Sequence, residues 1–115
     1  MFIGMQTLPV VYVDNNLQEA LENITITFDG NKAKEPTFKS IKSGERVFTG
    51  LYNKFDEIRA IYLKYYNDKL AIMEKKQIYK VFNNTILGTV GIILVEIVGK
   101  QQDGKLELKI TENFS

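Results

Sequence analysis

The chain has 115 residues, of which 44% are hydrophobic and 25% charged, so it is long enough and apolar enough to bury a core as one globular domain. Its formal net charge of +1 gives no signal for a nucleic-acid backbone as partner. Cysteine and histidine are both absent, which excludes disulfides, thiol or histidine catalysis, and zinc sites built from these residues. We therefore predict a single domain over residues 1–115, with no cofactor and no metal.

The N-terminal segment predicts a strand followed by a helical turn. Residues 8–13 are β-branched and aromatic around Pro9, which is typical of an edge strand or a strand start. Residues 14–23 then offer a short helical turn, with Asn15 or Asn16 as its cap.

Residues 23–51 predict three further strands separated by turns. Residues 23–28 alternate with the period of a half-buried strand, so we expect one set inward (Ile24, Ile26, Phe28) and one set outward (Thr25, Thr27). Residues 29–31 and 42–44 have turn composition. Between and after these turns we predict a short strand containing Phe38 and Ile41, and another over residues 45–51.

Residues 51–87 contain neither glycine nor proline and admit two interpretations. The first is strands at 58–66, 69–73 and 77–82, with a turn at Asn67-Asp68; the residue types of 61–66 favour it. The alternative is an α+β fold with one long amphipathic helix, Phe55–Phe82. In the strand interpretation, alternate residues face the core (Ile61, Leu63, Tyr65) and the solvent (Tyr62, Lys64, Tyr66).

The C-terminal segment predicts a buried strand, a turn and a half-buried strand. Residues 88–99 are apolar on both faces, and Asp103-Gly104 tolerates the positive φ of a tight connection. Beyond the turn, every second residue is apolar and is expected to face inward: Leu106, Leu108 and Ile110. The chain as a whole therefore predicts a mainly β protein, an antiparallel β-sandwich.

The strand and turn pattern resembles that of small uncharacterised bacterial proteins with immunoglobulin-like sandwiches. The segments that carry the resemblance are residues 21–30, 38–45, 60–67, 88–97 and 103–106. The resemblance implies an immunoglobulin-like sandwich of about seven strands, and it implies no activity. Residues 77–85 depart from the pattern because they lack a glycine-bearing turn.

Several residue combinations that suggest chemistry are better explained by ordinary structure. Asp56-Glu57 and the Glu19/Glu22 pair are the nearest approach to paired carboxylates, but adjacent strand residues point to opposite faces and surface charge explains them. Residues 14–16 and 29–31 have turn chemistry and no calcium-loop spacing. The glycines at 88 and 91 lack the context of a phosphate loop, and the Asn-x-Ser/Thr triplets at 23, 83 and 113 are chance matches.

The tyrosines carry the strongest suggestion of a binding surface. Five of them could form an aromatic and basic patch with Arg59 and Lys64: Tyr52, Tyr62, Tyr65, Tyr66 and Tyr79. The residues expected to face outward on one strand, Tyr62, Lys64 and Tyr66, give contact area at small entropic cost. We predict that they bind a protein partner or a second copy of the chain.

The functional prediction is a non-catalytic protein-interaction domain, not an enzyme. Two alternatives stay open at this point: a small inhibitor or immunity-type protein from a mobile element, and an enzyme subunit using carboxylates or tyrosines. The N-terminus lacks the basic region and cleavage site of a signal peptide, and no apolar run approaches about 20 residues. We therefore expect a soluble, cytoplasmic protein without a membrane span, or one whose signal has already been removed.

Overall fold

The computed structural model describes residues 10–28, 35–50, 60–80 and 92–112. These four ranges contain eight strands and no helix. In chain order the strands are β1 (Val10–Asn15), β2 (Leu21–Phe28), β3 (Thr37–Ile41), β4 (Arg46–Gly50), β5 (Ala60–Asn67), β6 (Ile72–Lys80), β7 (Ile92–Lys100) and β8 (Leu106–Glu112).

The strands form two four-stranded sheets with their apolar faces in contact. Sheet A has the order β4-β1-β7-β8 and sheet B the order β3-β2-β5-β6. Neighbouring strands are antiparallel except for β1 and β7, which run parallel. The predicted mainly β, antiparallel sandwich is confirmed, with eight strands in the described ranges where about seven were expected.

The core lies between the two sheets and consists of aliphatic side chains from nearly every strand. Its members with no solvent exposure are Val11, Val13, Ile26, Ile41, Ile61, Leu63, Val95 and Ile97. They sit at alternate positions of their strands because successive side chains point to opposite faces. Burying each such side chain contributes about 1.5–3 kcal/mol relative to leaving it in water, so this layer stabilises the fold.

Strand β2 faces the core as predicted, but its alternation is interrupted at Asn23. The backbone of Asn23 has a φ of 54°, a conformation that asparagine tolerates better than most residues. As a result Leu21 and Ile24, three positions apart, are both buried. They pair with Ile41 and Phe38 of β3, which lie three positions apart in the same way.

The long helix proposed as an alternative for Phe55–Phe82 is wrong, because residues 60–67 and 72–80 form the antiparallel strands β5 and β6. The turn between them occupies residues 68–71, not Asn67-Asp68 alone. The two predicted segments 69–73 and 77–82 are replaced by the single strand β6 over the described part of the chain. The pairing register shifts between Ile61, which faces Tyr79, and Tyr62, which faces Gln77. Ile78 is therefore an extra residue on β6 at this point, and it is only 2% exposed.

The predicted helical turn at residues 14–23 is also wrong. Asn15 is the last residue of β1, and its side-chain oxygen accepts the N–H of Leu17 at 2.9 Å, as a helix cap would. Its amide donates to the backbone carbonyls of Glu19 and Ile41 at 2.9 and 2.8 Å. These hydrogen bonds hold a short bend between β1 and β2, which begins at Leu21. Asn15 therefore stabilises a connection between two strands and not the start of a helix.

Two side chains differ in burial from the alternation pattern. Thr27 lies on the outer face of β2 as predicted but is only 6% exposed, because its hydroxyl donates to Glu35, which covers it. Ile110 was expected in the core but is 38% exposed, because β8 is an edge strand in the described sheet. Leu106, nearer the turn, is buried as predicted.

The pairing directions place the connections within the described ranges at one end of the sandwich. These are residues 16–20, 42–45, 68–71 and 101–105. The first residue of β1 and the last residue of β8 lie at the opposite end. The described part of the molecule contains no helix long and apolar enough to cross a membrane.

Candidate functional site

The three residues predicted to bind a partner lie together on the outer face of sheet B. Tyr62, Lys64 and Tyr66 alternate on β5 with Ile61, Leu63 and Tyr65, which are at most 3% exposed. The structure therefore places the predicted residues on the solvent side of the strand. Their individual surroundings differ, however, and these differences decide which of them is available for contact.

Lys64 is engaged in an ion pair within the chain. Its ammonium lies 2.9 Å from a carboxylate oxygen of Glu35, whose other oxygen accepts the hydroxyl of Thr27. The hydrogen bond from Thr27 and then that from Lys64 hold the pKa of Glu35 below its ordinary value, since both favour the charged carboxylate. The predicted cation is thus part of a polar network on the sheet.

Tyr62 is half-buried on the same face. The ammonium of Lys75, on the neighbouring strand β6, lies 4.4 Å from the centroid of the Tyr62 ring, which is the geometry of a cation–π contact. The ring therefore offers less free surface than an unpaired strand tyrosine would.

Tyr66 is the exposed member of the predicted set, and it belongs to a larger apolar surface at the β5–β6 hairpin. Four large side chains within eight residues are well exposed; we call them the hairpin cluster: Tyr66 (55%), Leu70 (44%), Ile72 (46%) and Met73 (57%). Tyr66 and Met73 are direct cross-strand partners, so their side chains lie next to each other on the outer face.

Exposed apolar side chains lie on both faces of the hairpin near its tip, where the turn also carries the exposed Asp68 and Lys69. Met73 lies on the outer face with Tyr66, whereas Ile72 pairs with the buried Asn67 and so lies on the core side. Ile72 is nevertheless 46% exposed, which means that the tip extends past the region where sheet A covers it. The hairpin cluster is therefore a protrusion with apolar side chains on both faces of the hairpin.

Asn67 holds this protrusion in one conformation. Its side-chain oxygen accepts the N–H groups of Lys69 and Leu70 at 3.0 and 3.2 Å, and its amide donates to the carboxylate of Glu74 at 3.1 Å. Asn67 is only 2% exposed, so these bonds satisfy a buried polar group. The turn closes at Ala71, whose φ is 56°.

Two contacts tie the hairpin to the β7–β8 turn of the other sheet. The amide of Asn67 also donates to the carbonyl of Asp103 at 3.0 Å, and the hydroxyl of Tyr65 accepts the N–H of Leu106 at 2.9 Å. Burial of the Tyr65 ring raises the pKa of its hydroxyl, which therefore stays protonated at neutral pH. The hydrogen bonds to the β7–β8 turn thus brace the base of the hairpin that carries the exposed apolar residues.

A second exposed aromatic side chain lies on the outer face of sheet A, away from the hairpin. Phe48 of β4 is 63% exposed and stacks on Tyr12 of β1, with ring centroids 5.4 Å apart. Next to them the guanidinium of Arg46 forms two bonds with the carboxylate of Asp14, at 2.6 and 2.9 Å. None of these residues was predicted from the sequence to bind a partner.

The other residue combinations considered from the sequence do not converge on a site. Glu19 forms an exposed ion pair with Lys100 at 3.2 Å, and Glu22 is exposed on β2. Residues 29–31, 56, 57, 88 and 91 lie outside the described ranges. Within those ranges, no group of three or more aspartate or glutamate residues is arranged to hold a metal ion.

Sequence analysis found Tyr66 but missed Leu70, Ile72 and Met73. A four-residue turn at 68–71 pairs Tyr66 with Met73 across the hairpin, so the sequence is compatible with one exposed apolar cluster. Placing the turn at Asn67-Asp68 left these residues in a separate segment. The sequence signal for this surface is the apolar Leu70 within the short turn at 68–71.

Comparison with known proteins supports the fold and leaves the function open. No protein-family model matches the chain, and no curated protein matches it. The fold is similar to that of a protein from Eubacterium rectale solved by NMR, with a TM-score of 0.55 and 13% sequence identity. The alignment covers 98% of this chain and 96% of that one. At this identity the similarity concerns the fold alone.

Proposed function

We propose that the chain is a non-catalytic protein-interaction domain and that the hairpin cluster is its main contact surface. The observation that carries the proposal is the concentration of four large, well-exposed apolar side chains on one braced protrusion. Apolar groups at this density on a rigid support are typical of binding sites in proteins. Tyr62 and Lys64 would form the polar border of the contact.

The shape and chemistry of the hairpin cluster define the partner. A hairpin end with apolar side chains on both faces fits a protein with an apolar cleft, which would surround Leu70 and Ile72 while Tyr66 and Met73 lie along one wall. Methionine adapts to irregular surfaces, and tyrosine supplies area with a polar end. The flanking Lys69 is exposed and suits a partner with a carboxylate at the cleft border.

The test is a double variant, Tyr66→Ser with Met73→Ser. Both side chains are more than half exposed, so each change should alter stability by no more than about 0.5 kcal/mol. Proteins captured from the native host would be purified and titrated into wild-type and variant chain by calorimetry. We expect the variant to lose at least about tenfold in affinity, as hot-spot substitutions do.

A matched control is Val98→Ser, which removes an apolar side chain of similar exposure (46%) on β7, outside the hairpin cluster. It should bind like the wild type. Equal affinities for the wild type and the Tyr66/Met73 variant would exclude the hairpin as the contact surface. Loss of affinity in the Val98 variant alone would show that the contact surface lies on sheet A.

A second candidate function, an inhibitor or immunity-type protein, is favoured by the same protrusion. A narrow apolar tip suits insertion into the cleft of an enzyme. If the purified partner is an enzyme, its turnover should fall on addition of the wild-type chain and stay unchanged with the double variant. A partner whose activity is unaffected by stoichiometric wild-type chain would eliminate this function.

We also propose that the sandwich has an immunoglobulin-like architecture. A separate proposal is that the protein is located in the cytoplasm. The two-layer sandwich supports the first of these, although the orders β4-β1-β7-β8 and β3-β2-β5-β6 are not those of a constant-type immunoglobulin domain. The absence of cysteine from the sequence is compatible with a reducing compartment. Fractionation of the native host with an antibody to the chain would test the location.

A further inference from the structure

Strand β4 lies at the edge of sheet A, with β1 as its neighbour in the described part of the sheet. The N–H of Asn15 donates to the carbonyl of Glu45 at 3.0 Å, at the start of the β1–β4 ladder. Because backbone groups in an antiparallel pair alternate in direction, Val47 and Thr49 also point theirs toward β1. The backbone N–H and C=O groups of Phe48 and Gly50 therefore point away from β1.

The side chains on this edge form an aromatic row. Phe48 is 63% exposed, the highest value among the large apolar residues of the described chain, and one face of its ring is stacked on Tyr12. The guanidinium of Arg46 lies 5.8 Å from the centroid of the Tyr12 ring and is charge-balanced by Asp14. The edge thus presents an aromatic ring beside the Arg46–Asp14 ion pair.

The edge strands of the two described sheets differ in whether they carry lysine, a residue that disfavours pairing with a strand of another chain. Strand β3 carries Lys39 and β8 carries Lys109, and β6 carries three lysines at 75, 76 and 80. Lysine on an edge strand is a common device against pairing with another chain. Strand β4, Arg-Val-Phe-Thr-Gly, is the described edge without lysine.

We propose that two copies of the chain associate through antiparallel pairing of their β4 strands, with Phe48 on the two-fold axis. In this register Phe48 faces Phe48 of the second copy, and Arg46 faces Gly50. The outward backbone groups of both strands then fall into hydrogen-bonded pairs, which brings opposing Cα atoms to about 5.5 Å. The two Phe48 rings continue the row into Tyr12, Phe48, Phe48 and Tyr12.

No like charges face each other across the two strands in this register. The single charge of β4, Arg46, meets an uncharged glycine. The net charge of +1 per chain adds little repulsion between copies. A five-residue strand pair buries less than the roughly 1,200 Å² of standard interfaces, so the dimer is weak and concentration-dependent.

Substitutions at Gly50 give a charge test that leaves the folded chain intact. A Cβ added at Gly50 meets no atom within 4 Å, so lysine and glutamate both fit. Sedimentation velocity over a range of protein concentrations would measure the dissociation constant of each variant. We expect Gly50→Lys to weaken the dimer at least about fivefold, since it faces Arg46 of the second copy, and Gly50→Glu to strengthen it.

Two further variants make the outcome decisive. Phe48→Ser should weaken the dimer as Gly50→Lys does, whereas Tyr66→Ser with Met73→Ser should leave it unchanged, since the hairpin lies at the other side of the sandwich. A monomer at all concentrations, equal constants for the lysine and glutamate variants, or a dimer abolished by the hairpin variant would each overturn the proposal. The result does not depend on the function proposed for the hairpin cluster.

Discussion

Leu63 and Tyr62 are neighbours in sequence with opposite surroundings, and they test the register of β5. Leu63 has no solvent exposure, so Leu63→Ala should cost about 2–5 kcal/mol through lost burial and a cavity. Tyr62→Ala removes a half-buried ring and its contact with Lys75, and should cost about 1 kcal/mol. Urea denaturation would measure both, and similar midpoints would show that the register is displaced by one residue.

Glu35 gives a pH-dependent prediction. Its pKa is lowered in the folded state, so the carboxylate stabilises the fold above the ordinary glutamate pKa of 4.5. That contribution is lost as pH falls through the lowered value. Because the side chain is 34% exposed, we expect no more than about 1 kcal/mol.

The measurement compares the wild type with Glu35→Gln, which keeps an acceptor for Thr27 and Lys64 but removes the charge. Urea unfolding at neutral pH should show the wild type to be more stable. The difference should disappear well below pH 4.5. A stability difference that is constant with pH would mean that the ion pair with Lys64 contributes nothing.

Side-chain direction was largely predictable from the sequence because alternation is a local property. The inward positions Ile24, Ile26 and Leu63 were assigned correctly, and so was the outward position of Tyr66. The burial of Thr27 was not predictable, because it depends on Glu35, a residue outside β2. Local pattern thus gives the face of a side chain, while its exposure depends on what covers it.

The β5–β6 hairpin and the β7–β8 turn are linked at Gly104, which provides a test at the level of elements. Gly104 has a φ of 90°, and a Cβ there would overlap the side chain of Asn67. Gly104→Ala should therefore cost more than about 2 kcal/mol, from the left-handed backbone and the displaced asparagine together. Thermal denaturation would measure the loss.

Gly99→Ala is the matched control for this prediction. A Cβ at Gly99 would overlap only the carboxylate end of Glu107, an exposed side chain that rotates away, so the cost should stay below about 1 kcal/mol. In an Asn67→Ala background, Gly104→Ala should cost less than in the wild type, because its steric part is removed. Additive effects would indicate that the two turns are independent.

The elements themselves were predicted better than their boundaries. Strands β5 and β8 follow from apolar alternation and β7 from an apolar run, whereas β6 was predicted as two segments. The four-residue turn at 68–71 was not predicted, since it contains no glycine or proline. Its conformation depends on Asn67, which bonds to two following N–H groups, and on the positive φ of Ala71. This is why three of the four residues of the hairpin cluster were missed.

For the whole molecule, the positions of the strand ends predict where fusions are tolerated. The first residue of β1 and the last of β8 lie at the end of the sandwich opposite the hairpin cluster. A fluorescent protein fused before Met1 or after Ser115 should therefore leave affinity for the hairpin's partner within about twofold. The same fluorescent protein inserted between Lys69 and Leu70 should abolish binding of that partner. Calorimetry would compare the affinities of the three fusion proteins.

The two-layer architecture was predictable from the sequence, but the assignment of strands to sheets was not. Alternating strands with short connections indicate antiparallel hairpins, and β5–β6 and β7–β8 follow this rule. The parallel pairing of β1 with β7 does not, because it joins strands from opposite ends of the described chain. No local pattern encodes such a pairing.

That parallel pairing has a consequence for the order of events during synthesis on the ribosome. Strand β7 is the neighbour that joins β1 to β8, so sheet A cannot be completed until residues 92–100 have emerged. Sheet B consists entirely of earlier segments, so the part of its apolar face that β7 and β8 cover would stay exposed until they emerge, a state in which nascent chains attract chaperones. Hydrogen exchange on nascent chains stalled before β7 has emerged should accordingly show Ile26 and Leu63 protected and Tyr12 and Asp14 unprotected, since the N–H groups of the last two point toward β7.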